Sequence, residues 1–91
     1  MSRIKRIQEL VRNGLYYLTE HADYEAAVDG LDIYDIENAI LAGGIRRTWP
    51  REGKYEVVGS TFDGRAIGMI CRITVTGKLR VVTVYADKPR T

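Results

Sequence analysis

Residues 61–85 decide the fold of this chain and read TFDGRAIGMICRITVTGKLRVVTVY. Apolar and β-branched residues alternate with polar ones through this stretch, a pattern that is typical of strands with one buried face. Asp63-Gly64 and Gly77-Lys78 interrupt the pattern with residues that favour tight hairpin turns. We therefore predict that the stretch forms most of an antiparallel sheet.

The turns determine which residues face each other across this sheet. A two-residue turn at Gly77-Lys78 predicts an apolar face that meets helices, with these cross-strand pairs: Ile73 with Val82, Cys71 with Val84, and Met69 with Ala86. The other face is then open or grooved, with these pairs: Thr74 with Val81, Arg72 with Thr83, and Ile70 with Tyr85. A two-residue turn at Asp63-Gly64 places Tyr55 beside Arg72, whereas a three-residue turn would let that pairing slip.

Three helices are expected before the sheet. Ser2 is the predicted cap of a helix over residues 3–12, which Asn13-Gly14 ends. Thr19 is the predicted cap of a second helix, from Glu20 to about Asp29, and Asp32 that of a third, which ends at Gly43-Gly44. Their apolar stripes need a surface to pack on, and the apolar face of the sheet supplies it.

Shorter strands complete the predicted sheet. Residues 15–18 form one, residues 55–61 begin the main sheet, and residues 45–49 form an edge strand because Pro50 cannot continue a central one. We expect residues 87–91 to form a frayed tail. The predicted fold class is α+β, with N-terminal helices packed on one face of a curved, mainly antiparallel sheet of about four to five strands.

Composition indicates one soluble domain spanning residues 1–91. The chain is 45% hydrophobic and 29% charged, and its net charge of +2 is too mild to establish nucleic-acid binding by itself. Its one cysteine, Cys71, lies in an apolar run and should fill the core. No apolar run approaches the roughly 20 residues that span a bilayer, so we expect a cytoplasmic location and no membrane partner. No P-loop, dinucleotide fingerprint or zinc pattern occurs, so we expect no cofactor and no metal.

His21 is the only histidine, and histidine is the natural general acid or base near neutral pH. Glu25 lies four residues further on and Asp29 four more, which places three titratable groups on one side of the second helix. The alternative is a helix-start histidine that a neighbouring backbone or carboxylate group satisfies. A metal site of these three residues has no second histidine or cysteine to support it.

A second group of candidates lies in or near the sheet. Arginine can bind a phosphate with two hydrogen bonds, and tyrosine can stack a base or move a proton. The candidates are Arg65, Arg72, Thr83, Tyr85 and Tyr55, with Arg46 and Arg47 of the predicted edge strand as further RNA-binding residues. Strict alternation places Arg65 on the helix side, within reach of the helix that carries His21 or of a carboxylate. For each residue alone, ordinary surface packing is the alternative.

An ordered series of short motifs resembles the bacterial domain-of-unknown-function family 4258. The motifs are Tyr17-x-Thr19-x-His21-Ala22, Gly30-Leu31-x-x-x-Asp35-Ile36-x-x-Ala39-Ile40-x-x-Gly43, Val58-Gly59-x-x-x-Asp63-Gly64-Arg65 and Val82-Thr83-x-Tyr85. That family is similar to RelE-like and barnase-like ribonuclease toxins. The resemblance implies metal-independent RNA cleavage, an antitoxin partner of zinc-finger or helix-turn-helix type, and roles for His21, Arg65, Thr83 and Tyr85.

This chain departs from the family pattern at Glu25 and Asp29, where many relatives carry arginine. Acidic residues repel phosphate, which weakens the ribonuclease interpretation at this face. Either Glu25 acts with His21 as an acid–base pair, or this branch has lost cleavage and kept the scaffold. We therefore expect an endoribonuclease-like toxin of a toxin-antitoxin system that uses His21 as acid or base and Arg65 or Arg72 to stabilise the charge at phosphorus. The alternative is an inactive module of the same fold that docks a protein partner. A homodimer through residues 45–49 is compatible with either.

Overall fold

The computed structural model describes residues 2–87. Three helices and five strands follow each other along the chain. Their bounds are α1 Arg3–Arg12, β1 Tyr16–Leu18, α2 Glu20–Val28, α3 Ile33–Leu41, β2 Gly44–Trp49, β3 Lys54–Ser60, β4 Ala66–Ile73 and β5 Leu79–Ala86. The predicted α+β class, with helices gathered near the N-terminus and a sheet behind them, is confirmed.

Local capping residues set the helix bounds, as predicted. The Ser2 side chain accepts a hydrogen bond from the Lys5 N–H at the start of α1. At the start of α3, Asp32 and Asp35 form a reciprocal capping box, in which each side chain accepts from the backbone N–H of the other. Gly30, after α2, has φ of 68°, the left-handed conformation that lets the chain leave a helix.

The five strands form one open, mixed sheet in the order β1-β5-β4-β3-β2. β1 pairs with β5 in parallel, and the other neighbours are antiparallel. β2 is the edge strand expected from Pro50. Its pairing with β3 contains a bulge between Ile45 and Arg47, which leaves Arg46 outside the regular ladder.

Two predicted registers are wrong, because both hairpin loops are longer than two residues. Ile73 pairs with Leu79 rather than with Val82, and Tyr55 pairs with Cys71 rather than with Arg72. The second shift is the slip that a three-residue turn at Asp63-Gly64 would cause. A further irregularity between Ile70 and Cys71 changes the register within β4 and β5.

The three helices cover one face of the sheet and form a single core with it. Ile7 of α1, Ala22 of α2 and Ile36 of α3 are buried against sheet residues that include Met69 and Cys71. Cys71 is buried and fills the core, as predicted, and this burial raises the pKa of its thiol to about 12.

The opposite face, called the open sheet face below, carries side chains that alternate with the buried ones. Its members include Glu56, Ile70, Arg72, Arg80, Thr83 and Tyr85. The predicted tail from residue 87 onward lies outside the described residues except for Asp87, whose N–H donates to the Ala66 carbonyl.

Candidate functional site

α2 places His21 and Glu25 at the border between the helices and the sheet. His21 Nε2 lies 3.3 Å from Glu25 Oε1, and the same carboxylate oxygen accepts a hydrogen bond of 3.1 Å from the Val84 N–H on β5. The sheet thereby fixes Glu25, and Glu25 orients an imidazole whose side chain is 67% exposed. An accessible imidazole held by an anchored carboxylate can exchange protons with a substrate. The same contact also fits a helix-start histidine that a carboxylate satisfies.

Glu25 also lines a cleft between α2 and β5. The cleft has a volume of about 250 Å³, and Tyr24 and Val28 of the helix and Tyr85 of the strand contribute to its walls. Two of the predicted catalytic residues, Glu25 and Tyr85, therefore border one recess. Small-molecule pockets usually measure about 300–1,000 Å³, so this recess suits one unit of a larger ligand.

Tyr85 belongs to a hydrogen-bonded cluster on the open sheet face. Its hydroxyl donates to the Glu56 carboxylate, which Arg46 also binds through Nε at 3.0 Å and through Nη2 at 3.2 Å. Arg46 Nη1 binds the Asp87 carboxylate at 3.0 Å. Hydrogen bonds from Arg46 and Tyr85 lower the pKa of Glu56, while burial and the Glu56 carboxylate raise the pKa of Tyr85 to about 12. Tyr85 is therefore a neutral, positioned phenol at physiological pH.

The ring of Tyr85 lies across β4 at Gly68, its register partner. A Cβ atom built on Gly68 would lie 2.3 Å from the tyrosine ring, so a side chain there would displace the ring. Sequence reasoning did not single out Gly68 or Glu56. Alternation from the buried Val57 indicates that Glu56 faces the open side, but only the bulge in β2 brings Arg46 to it.

Arg65 lies on the helix side of the sheet, as predicted. Its guanidinium donates to the Asp29 carbonyl oxygen at 3.0 Å and pairs with Asp63 at 3.1 Å and with Asp35 at 3.8 Å. It thus reaches both the helix of His21 and two carboxylates. The eight positions from His21 to Asp29 span about 12 Å of helix, so Arg65 holds the far end of α2 rather than the imidazole.

Arg72 and Thr83 both lie on the open sheet face, but they do not oppose each other. Arg72 pairs with Arg80 in the register, and Thr83 pairs with Ile70. Within residues 2–87 no hydrogen bond or ion pair joins Arg72 to a carboxylate. Arg72 is therefore the predicted catalytic arginine that remains available to an anion.

The three predicted RNA-binding residues lie in different surroundings. Tyr55 packs against the core, and the Arg3 guanidinium lies 5.6 Å from the centre of its ring, so its expected place on the open sheet face is wrong. Arg46 is held by the carboxylates described above. The Arg47 guanidinium lies 5.4 Å from the centre of the Trp49 ring.

These features define a small α+β domain with a histidine–carboxylate pair beside an exposed polar sheet face. The sequence profile of a family described as Domain of unknown function (DUF4258) matches residues 18–86, more than half of the chain. The chain belongs to this family, and all six predicted catalytic residues lie within the match. No curated protein and no solved structure matches the chain.

Two further findings concern residues 2–87 alone. None of the helices there combines the length and apolar character needed to cross a membrane. In the same part of the chain, no group of three or more His, Cys, Asp or Glu side chains is placed to hold a metal ion.

Proposed function

We propose that this chain is a toxin-like endoribonuclease that cuts RNA by metal-independent acid–base chemistry, in the manner of RelE-like and barnase-like enzymes. The observation that carries the proposal is the contact of 3.3 Å between His21 and Glu25, together with the anchoring of Glu25 to Val84. This pair stands beside the cleft that Tyr85 lines, at the border of the open sheet face.

In this scheme the 2′-hydroxyl of RNA attacks the neighbouring phosphorus, the new O2′–P bond forms, and the P–O5′ bond breaks. His21 exchanges one proton with the attacking or the leaving oxygen, solvent water accepts or supplies the other proton, and Glu25 orients the imidazole. Arg72 binds a phosphate of the same RNA strand on the open sheet face, since carboxylates already hold Arg65 and Arg46. Tyr85 and Thr83 contact the nucleotide beside the broken bond.

The test is cleavage of a single-stranded RNA with a fluorophore and a quencher at its two ends, in the presence of EDTA. We expect the wild type to cut the RNA and His21→Ala to lower the rate by about 10²–10⁴, the usual contribution of a general acid or base. Glu20→Gln is the matched control, because Glu20 is an exposed acid on the same helix. A 2′-deoxy substrate should resist. Uncut RNA with the wild type, or equal rates for the wild type and His21→Ala, would refute the proposal.

A second candidate is an inactive module that docks a basic antitoxin segment on α2. Within residues 2–87 no hydrogen bond or ion pair joins His21 to an arginine, and α2 has no lysine or arginine. Tyr24 and Val28 are 69% and 65% exposed on this acidic helix, which suits a partner of mixed basic and apolar character. Loss of a co-purifying antitoxin in Tyr24→Ser, with its retention in the control Tyr34→Ser on α3, would support this function.

A further inference from the structure

One transverse row of the open sheet face takes a residue from each of the five strands. Each member of the row is the register partner of the next, in the order Trp49, Lys54, Arg72, Arg80 and Tyr17. These five residues are called the cationic row. Three cations occupy its middle, and an aromatic ring lies at each end.

The cations of the row have few anionic partners. Within residues 2–87 neither Arg72 nor Arg80 forms an ion pair, and both are exposed. Lys54 Nζ pairs with Glu52 at 3.2 Å, but the Glu52 side chain is 52% exposed, and exposed pairs of this kind are weak. Like charges directly opposite each other destabilise a sheet, so folding alone gives no reason for this arrangement. An anionic ligand across the row would offset the repulsion.

The aromatic residues at the ends of the row are at least partly exposed, and Trp49 is half-buried. Tyr17 is 42% exposed. Trp49 lines a recess of about 570 Å³ at the hairpin between β2 and β3, and the Lys54 ammonium lies 5.2 Å from the centre of its ring. Unpaired bases stack on rings of this kind, whereas a folded acidic protein surface has no bases to stack on them.

We propose that the cationic row binds single-stranded RNA, with phosphates on Lys54, Arg72 and Arg80 and bases against Trp49 and Tyr17. Four strand spacings of about 4.8 Å give a row about 19 Å long. At about 3.4 Å per nucleotide of a stacked strand, that length holds about five or six nucleotides. A duplex keeps its bases paired and does not offer them to the two rings. The inference deepens the proposed function and rests on it for the choice of RNA as ligand.

The row and the proposed catalytic pair are connected through β5. Arg80 belongs to the row, and Val84 on the same strand anchors Glu25. The four residue steps from Arg80 to Val84 span about 13 Å, so a strand of RNA on the row reaches the cleft beside His21 within about four nucleotides.

The test is fluorescence anisotropy with a labelled hexanucleotide of 2′-O-methyl RNA, which cannot be cleaved because its 2′-oxygen is blocked. We expect the dissociation constant of the double variant Arg72→Ala, Arg80→Ala to rise at least tenfold. The matched control is Arg6→Ala, Arg12→Ala, which removes the same charge from the exposed side of α1 and should change binding less than twofold. Two lost phosphate contacts should also reduce the slope of log affinity against log salt by about 1.4.

Three results would overturn the inference: no binding by the wild type, equal weakening in both double variants, or equally tight binding of the duplex or of polyglutamate. Circular dichroism of each variant verifies that it is folded.

The RNA-binding proposal and the catalytic proposal can fail separately. Hexanucleotide binding that depends on the row, without any RNA cleavage by the wild type, would remove the catalytic proposal alone. Cleavage that the row variant leaves unchanged would remove the RNA-binding row alone.

Discussion

Replacing Arg72 with threonine should make the protein more stable. Arg72 has a like charge on each side in the register, Lys54 on β3 and Arg80 on β5. Two unit charges about 6 Å apart in water repel each other by about 0.7 kcal/mol before screening. Removing both repulsions and adding a good strand former should raise the free energy of unfolding by about 1 kcal/mol at low salt. Arg80→Thr removes one of these repulsions and should give about half the gain.

Urea unfolding followed by far-UV circular dichroism measures this gain. The experiment compares about 0.01 M with about 1 M ionic strength, at which the Debye length is about 30 Å and about 3 Å. At high salt the gain should fall to the part that strand propensity supplies, because the repulsion between exposed charges is then screened. Arg51→Thr, in the hairpin loop after β2, changes the net charge equally and should stay within about 0.5 kcal/mol of the wild type.

Two results would refute the reasoning. A variant Arg72→Thr that is less stable than the wild type at low salt would mean that the guanidinium has a stabilising partner. A gain that is independent of salt would mean that strand propensity, and not like-charge repulsion, is the cause.

Three further predictions concern the fold. Glu56→Gln should be destabilised at neutral pH, because Arg46 lowers the pKa of Glu56 in the folded protein. Glu56 therefore stabilises the fold above its unfolded-chain pKa of about 4.3, and urea titrations should show the difference between variant and wild type shrinking as pH falls through and below that value. Gly59→Ala should lose about 1–3 kcal/mol in thermal or urea unfolding, since its Cβ would lie 1.9 Å from the Ala39 carbonyl oxygen; Gly44→Ala, whose Cβ meets nothing within 4 Å, is the control. Cys71 should resist a thiol reagent in the native protein and react at once in urea, and rapid native labelling would contradict its burial.

The helices were predictable from sequence because local hydrogen bonds set their ends. Ser2, Thr19 and Asp32 cap the three helices, and each accepts a backbone N–H from three residues further along the chain. Such contacts depend only on neighbouring residues and do not require the rest of the fold. The edge position of β2 followed from Pro50 in the same way.

The hairpin registers were not predicted correctly, because a glycine in a turn does not by itself fix the loop length. Both loops begin with a threonine, and the side-chain oxygens of Thr61 and Thr74 accept hydrogen bonds from the N–H groups of Arg65 and Lys78. Thr-x-x-Gly followed by a basic residue occurs at both positions and was the missed signal.

The shifted registers changed the composition of the candidate site. The longer loops place Lys54 and Arg80 beside Arg72, where the predicted pairs would have placed Tyr55 and Thr83. Strand alternation still assigned Arg72, Thr83 and Tyr85 to the open side, because alternation depends on each strand alone. Contacts that need two elements, such as that between Glu25 and Val84, were outside the reach of sequence patterns.

The way α2 lies along β5 limits how copies of the sheet can join. Beyond the part of β5 that pairs with β1, the Glu25 carboxylate accepts a hydrogen bond from the Val84 N–H, and the Thr19 hydroxyl donates to the Val82 carbonyl. These backbone groups of β5 are therefore not available to a strand from another chain. Among the described strands, β2 has the longer free edge. Two chains that pair through their β2 edges would leave neither β2 edge free. Growth would then stop at a pair and would not continue into a fibril.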